Sequence, residues 1–181
     1  MTIIDLWLPI VASAVIVFIA SSLIHVALKW HNGDYRKTGD EERVRAALSG
    51  SEPGFYLLPY CIDPAELKKE EVAQKYKDGP LAYITVVPNG LPNMGGALAK
   101  TFVFYLFVGC LCAYVVSRTV AAGADYLEVF RIAGTVAWIA HGVAIIPDSI
   151  WYGKPWSVTG KYLVDALIYG LLTGGVFGWL A

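Results

Sequence analysis

Apolar residues fall into four long runs separated by polar segments, and the length of each run decides its reading. The first, from about Leu6 to Leu28, is broken only by Pro9, three serines and His25. Pro9 falls in the first helical turn, where a missing N–H costs nothing, and Trp7 and Trp30 stand at the two ends as interface anchors. The second runs from Ala97 to about Ser117; its apolar core, Phe102 to Val116, is short, so Lys100 snorkels at one end and Arg118 marks the other. The third runs from about Leu127 to Ile146, approached through Gly123, Ala124 and Asp125 and stopped by Pro147. The fourth is about Tyr162 to Ala181. About 20 apolar residues suffice to cross a bilayer as an α-helix. The pattern therefore predicts an all-α membrane protein, a four-transmembrane-helix bundle forming one membrane domain over residues 1–181, with a polar, partly helical cytoplasmic insertion at 30–96 between helices 1 and 2.

Charges within that insertion alternate in sign, as expected of a partly folded element. Asp40 to Leu48 has helical character. Asp63-Pro64-Ala65-Glu66 reads as a helix start, with Asp as N-cap, Pro at the first position and Glu three after the cap, and Gly79-Pro80 reads as its stop. Gly54 to Ile62 and Leu81 to Val87 are more apolar, too short to span and punctuated by proline; they are expected as interfacial segments, with a short strand possible at Tyr83 to Val87. Pro88 to Gly96 is turn chemistry leading into the second span and lacks the spacing of a phosphate-binding loop.

Composition agrees with a bilayer environment: 56% of residues are hydrophobic and 16% charged, against about 25% charged in ordinary soluble domains. Net charge is −1 with both signs mixed, which argues against a nucleic-acid partner. Cys61, Cys110 and Cys112 form no framework and read as free thiols. Met1 to Asp5 carries no basic residue and the following run is too long for a secretory leader, so the first span is expected to stay attached. Lys29, Arg36, Lys37 and Lys100 flank spans one and two on one side, and Lys154 and Lys161 flank spans three and four on that same side. The positive-inside rule then puts both termini on the non-cytoplasmic side, in what is expected to be a bacterial inner membrane.

An ionisable group at the centre of a span costs roughly 2.5–3.5 kcal/mol, so His25, His141 and Asp165 each need a reason to be there. Spans one and three run in the same direction, which puts His25 and His141 at similar depth. Ser21 and His25 share one helical face, and Ala133, Ala137 and His141 lie along another. Two inward imidazoles would supply axial nitrogens to a b-type haem, ligate a metal ion with Asp148 or Asp165, or relay a proton. The plainer alternative is that both are buried hydrogen-bonding residues. Asp165 lies four residues after Lys161 and Glu128 three before Arg131, spacings that suit interfacial ion pairs.

Gly170, Gly174 and Gly178 recur at intervals of four on span four, a face for close helix packing inside the bundle or in a homo-oligomer. The stretch Pro147 to Trp156 concentrates Asp148, Trp151, Tyr152, Lys154 and Trp156 at a span boundary. It is either an interface anchor or a loop that receives a lipid head group or a partner. Through this WYGKPW stretch and the glycine-striped helix after it, about Ile150 to Ala181, the chain resembles small multi-pass bacterial membrane proteins of unknown function. The resemblance implies a four-helix membrane fold and transfers no activity or site residue. No catalytic signature and no internal repeat stands out. The sequence thus leads to a non-enzymatic accessory or assembly subunit of a membrane complex first, a haem- or metal-binding protein using His25 and His141 second, and a lipid or small-amphiphile enzyme or transporter third.

Overall fold

The computed structural model describes all residues, Met1–Ala181. They form two compact units: Met1–Arg36 with Asn93–Ala181, and Lys37–Pro92. Residues 30–36, read from the sequence as the beginning of the insertion, therefore belong to the helical unit.

That unit is built on four helices long and apolar enough to cross a membrane, Ile4–Ala27, Met94–Thr119, Tyr126–Trp151 and Trp156–Leu180. The first is composite: a 3₁₀ turn at Ile4–Leu6, α1 at Trp7–Ser22 and a π-helical turn at Leu23–Ala27, in which Leu28 N–H donates to the Leu23 carbonyl at 2.9 Å. Lys29 follows at φ 51°, a left-handed conformation uncommon outside glycine. A 3₁₀ turn at Asn32–Asp34 then completes the fold-back of the chain.

The insertion unit holds α2 (Glu41–Ala47), β1 (Gly54–Leu58), α3 (Glu70–Asp78) and β2 (Ala82–Val86). Asp40 caps α2 by accepting from Arg43 N–H at 3.1 Å. The two apolar segments pair as an antiparallel sheet, Gly54 opposite Val86, Tyr56 opposite Ile84 and Leu58 opposite Ala82. Prolines 53, 59, 80 and 88 punctuate the two segments, which leaves two runs of matching length, the first rich in aromatics and leucine and the second in β-branched residues. The helix expected from Asp63 starts later. Asp63 Oδ1 accepts from Ala65 N–H at 2.9 Å and a single 3₁₀ turn follows, but Lys69 is extended, so α3 begins only at Glu70. It ends at Gly79, whose φ of 63° suits glycine.

The remaining helices are α4 (Met94–Thr119), α5 (Tyr126–Gly142), α6 (Ile146–Trp151) and α7 (Trp156–Leu180). Pro147 does not stop the third span. A 3₁₀ turn at Val143–Ile145 carries the helix on, and Pro147 falls in the first turn of α6, where it withholds no needed donor. The fourth helix begins at Trp156, six residues before its expected start, so much of the aromatic stretch Pro147 to Trp156 is helical and only Tyr152–Pro155 is a connection.

The four long helices close a ring in which α1 packs on α4 and α7, and α5 packs on α4 and α7. Towards one end Leu6, Val108, Val116, Val129, Ala133 and Phe177 are buried together in an apolar cluster. The other layer mixes Ala14, Val17 and Ile24 with Tyr105 and Tyr169. The α5–α7 contact is the closest approach: Gly170 packs against the Gly134 carbonyl, Gly174 against the Phe130 carbonyl and Gly178 against the Tyr126 ring. The stripe of glycines is thereby used inside the bundle.

A methyl group at Gly174 would stand 2.7 Å from the Phe130 carbonyl oxygen and 3.1 Å from the Gly134 Cα, both backbone atoms that cannot swing aside. Gly174→Ala should lower stability by about 1–3 kcal/mol through overpacking. Gly160, on the same helix with nothing within 4 Å of an added methyl, is the control. There alanine should stabilise by roughly 0.5–1 kcal/mol. Thermal unfolding of the detergent-purified variants measures both.

Candidate functional site

The polar residues of the helical unit converge at the end where the first long helix and α7 meet. Asp165 on α7 is 2% exposed, and a carboxylate that deep needs partners. It finds one in His31, whose Nε2 lies 2.7 Å from Asp165 Oδ2. The other ring nitrogen of His31, Nδ1, lies 2.7 Å from Asp34 Oδ2. Two such contacts need two protons, one more than a neutral imidazole carries, and a nearby cation offsets the second carboxylate. That cation is Lys161: its ammonium donates to Asp34 Oδ1 at 2.5 Å and to the Trp30 carbonyl at 3.1 Å. Lys161, with His31 after it, holds the Asp34 carboxyl below its usual value of 3.8.

His25 completes the group. The π turn carries its imidazole onto His31, with ring centres 4.5 Å apart and planes inclined by 23°. One ligand atom each from His25, His31 and Asp165 lie within 4.8 Å of one another. His31 and Asp165 are buried, whereas His25 is exposed and forms the rim. Tyr162, one residue after Lys161, packs its ring 4.6 Å from that of His31. The Lys154 ammonium lies 4.8 Å from the centre of the same Tyr162 ring.

Of the residues singled out from sequence, His25 and Asp165 belong to this cluster and His141 does not. His141 instead contacts the rings of Phe104, Tyr105 and Tyr169 at 5.4–5.5 Å, and it makes no ring contact with His25. The Tyr169 hydroxyl is buried there without a hydrogen-bond partner. The expected Lys161–Asp165 pair does not form, because each reaches back to the 30–34 segment, Lys161 to Asp34 and Asp165 to His31. Glu128 and Arg131 form no ion pair either. In the aromatic stretch, Asp148 and Lys154 approach at 3.7 Å, Ser149 and Thr159 share a buried hydrogen bond of 2.6 Å that ties α6 to α7, and Trp151, Tyr152 and Trp156 are exposed. All three cysteines are free.

Sequence reasoning missed His31, Asp34 and the pairing role of Lys161. The available signal was His31 and Asp34 at a spacing of three, directly after a span. No protein-family model, curated protein or solved structure matches this chain.

Asp34 has a carboxyl pKa lower when folded than when unfolded, so its contribution to stability is complete above its ordinary value and drains as pH falls through the lowered one. Melting temperature should therefore drop on acidification towards pH 3.8 and below, with the groups facing Asp34 being His31 and Lys161. Asp34→Asn should flatten that drop, and Lys161→Met should lower the melting temperature at neutral pH by leaving Asp34 and the Trp30 carbonyl without their donor. Melts across a pH series check both signs.

Proposed function

We propose that the chain is an integral membrane protein that carries a divalent transition-metal ion at the end of its helical bundle, with His25, His31 and Asp165 as ligands. Support for the membrane setting comes from the distribution of apolar surface. Only 33%, 33%, 28% and 39% of the most apolar stretches of the four long helices is buried within the chain. Ile4, Val26, Val103, Phe107, Leu171 and Trp179 all point outward. Lipid is the solvent that such a girdle requires. The distribution of lysine and arginine supports an orientation with both termini on the non-cytoplasmic side of a plasma membrane.

The observation that carries the metal reading is the His31 environment. Two imidazoles and one carboxylate are a donor set suited to Zn²⁺ or another divalent first-row ion, and three protein ligands leave coordination positions open. A ligating histidine ordinarily gives its second nitrogen to a carboxylate that fixes tautomer and ring orientation. Asp34 stands in that position at 2.7 Å and is itself held by Lys161. Metal–ligand bonds of about 2.0–2.2 Å would require the direct His31–Asp165 contact to part slightly while His25 draws in. The π turn and the left-handed Lys29 put adjustable backbone on both sides of that movement. A haem held between His25 and His141 has no comparable support, since the two rings have separate surroundings.

A second reading, an accessory subunit of a membrane complex, draws on the insertion unit. There Phe55, Tyr60, Ile62 and Leu91 are 73–98% exposed, as residues awaiting a protein partner would be. Stoichiometric co-purification from native membranes would favour it; recovery as a lone monomer in mild detergent would remove it.

After a carbonate wash the protein should sediment with membranes. Purified full-length protein should bind about one Zn²⁺ by calorimetry and elemental analysis, and His31→Ala and Asp165→Ala should abolish binding. Asp34→Asn should weaken it by roughly 10–100-fold, the usual cost of losing a carboxylate behind a ligating histidine. Metal-free wild-type protein that stays metal-free in excess zinc would remove the proposal.

A further inference from the structure

On the membrane setting proposed above, and independently of the metal, we infer that the opposite end of the bundle holds a phospholipid of the phosphoethanolamine type, with its phosphate on Arg131, its ammonium on Glu128 and Asp125, and an acyl chain in the groove between α5 and α7.

Two cavities meet at Arg131. The deeper one, about 180 Å³, is a groove over the α5–α7 seam: Gly134 and Gly170 lie along it, Phe130, Trp138, Leu167 and Leu171 wall it, and Arg131 is its one charged residue. The other, about 630 Å³, opens nearer the start of α5, where Arg131 shares the lining with Asp125, Tyr126 and Glu128. A ligand that fills both must therefore be apolar below Arg131 and charged above it.

The charges decide which ligand. Arg131 lies five residues, or about 7.5 Å, inside the first residue of α5, Tyr126. Its guanidinium pairs with no carboxylate, although Glu128 is one turn back on the same side of the helix. A cation at that depth calls for an anion from outside the chain, and a phosphate accepts two parallel N–H bonds from the guanidinium fork. Asp125 and Glu128 are equally without partners, Asp125 standing at the N-cap of α5 without capping it. Carboxylates only accept, so they need a donor. A purely anionic head group would be repelled by them, and choline has no N–H to give. A primary ammonium beside a phosphate answers both signs. Thr135, one turn deeper than Arg131 and lining the groove, sets a hydroxyl where the glycerol esters follow the phosphate, and Trp138, Leu167 and Leu171 continue inward for the chain. Lipid covers every outward face of such a bundle; unpaired charges of both signs at the head of an apolar groove are what distinguish this one.

Delipidated full-length protein in detergent is offered dioleoyl phosphatidylethanolamine, phosphatidylcholine and phosphatidylglycerol in turn, and native mass spectrometry counts the lipid retained per chain. The ethanolamine lipid should saturate at a single molecule and be retained in preference to the other two. Arg131→Gln should weaken its binding about tenfold with melting temperature unchanged, the scale of a lost charge-assisted hydrogen bond. The double variant Asp125→Asn/Glu128→Gln should bring the ethanolamine lipid down to the level of the choline lipid and leave the latter as it was. Equal retention of all three lipids, a preference for the glycerol lipid, or a lipid-free dimer closed over the groove would each overturn the inference. So would an ethanolamine preference that persists in both variants. Each of these is distinct from loss of the membrane setting, which shows as a chain that fails to sediment after the carbonate wash.

Discussion

A carboxylate placed inside a helix bundle has to be answered from somewhere else in the chain, and the answer to Asp165 organises one end of this molecule. Asp165 cannot turn to Lys161, its neighbour one helical turn back, because Lys161 already donates to Asp34 and to the Trp30 carbonyl. Its partner comes instead from 134 residues away, when the chain leaving the first long helix folds back and delivers His31. The fold-back needs a reversal within a few residues. The π turn at Leu23–Ala27, left-handed Lys29 and the 3₁₀ turn at Asn32–Asp34 supply it. Because breaking a buried pair strands a charge, losing either partner alone would be costly, and the contact ties the first helix to the fourth.

The rest of the bundle leaves room for this by being tight elsewhere. Along α5 and α7 glycines meet backbone to backbone, and around Val116, Ala133 and Phe177 the core is apolar and fully buried. Ionisable side chains are gathered in the other half, where Asp165, Tyr169, Tyr105 and His141 come from three different helices. His141 packs against three aromatic rings, and Tyr169 has an unpaired hydroxyl. The hydrogen-bonding capacity of this layer is therefore spent at the α1–α7 end, on His31, and not across the bundle toward α5.

Four long helices were legible because a run of about 20 apolar residues has few other fates. Their ends were less so. Pro147 reads locally as a stop, but the backbone can restart a helix with proline in its first turn, and that choice depends on Ser149 meeting Thr159 on another helix. The two strands of the insertion were legible as apolar segments and not as a pair, since nothing in Gly54–Leu58 announces Ala82–Val86 as its partner. The site was half legible. His25 and Asp165 stand out as ionisable residues in apolar runs, yet their partners, His31 and Asp34, lie in a short polar stretch that resembles any connecting loop. Depth alone put His25 and His141 level, whereas azimuth, which sequence spacing fixes only within a single helix, separated them.

The same residues could form nothing more than a structural latch, and His25 is what argues for more. A latch is complete without it: His31 is satisfied on both nitrogens, Asp165 and Asp34 each have a partner, and Lys161 balances the charge. His25 makes no hydrogen bond to any of them, and it is the exposed member of the group. Yet the helix departs from α geometry at the turn that carries it, and the chain then passes through a left-handed lysine, a conformation that costs about 1–3 kcal/mol for a residue other than glycine. Reversing the chain alone would be met more cheaply by a glycine, and Gly33 stands only four residues away. A second imidazole stacked on the first, within 4.8 Å of a buried carboxylate, is a surplus donor that the latch leaves unused, and it is the feature on which the metal proposal draws.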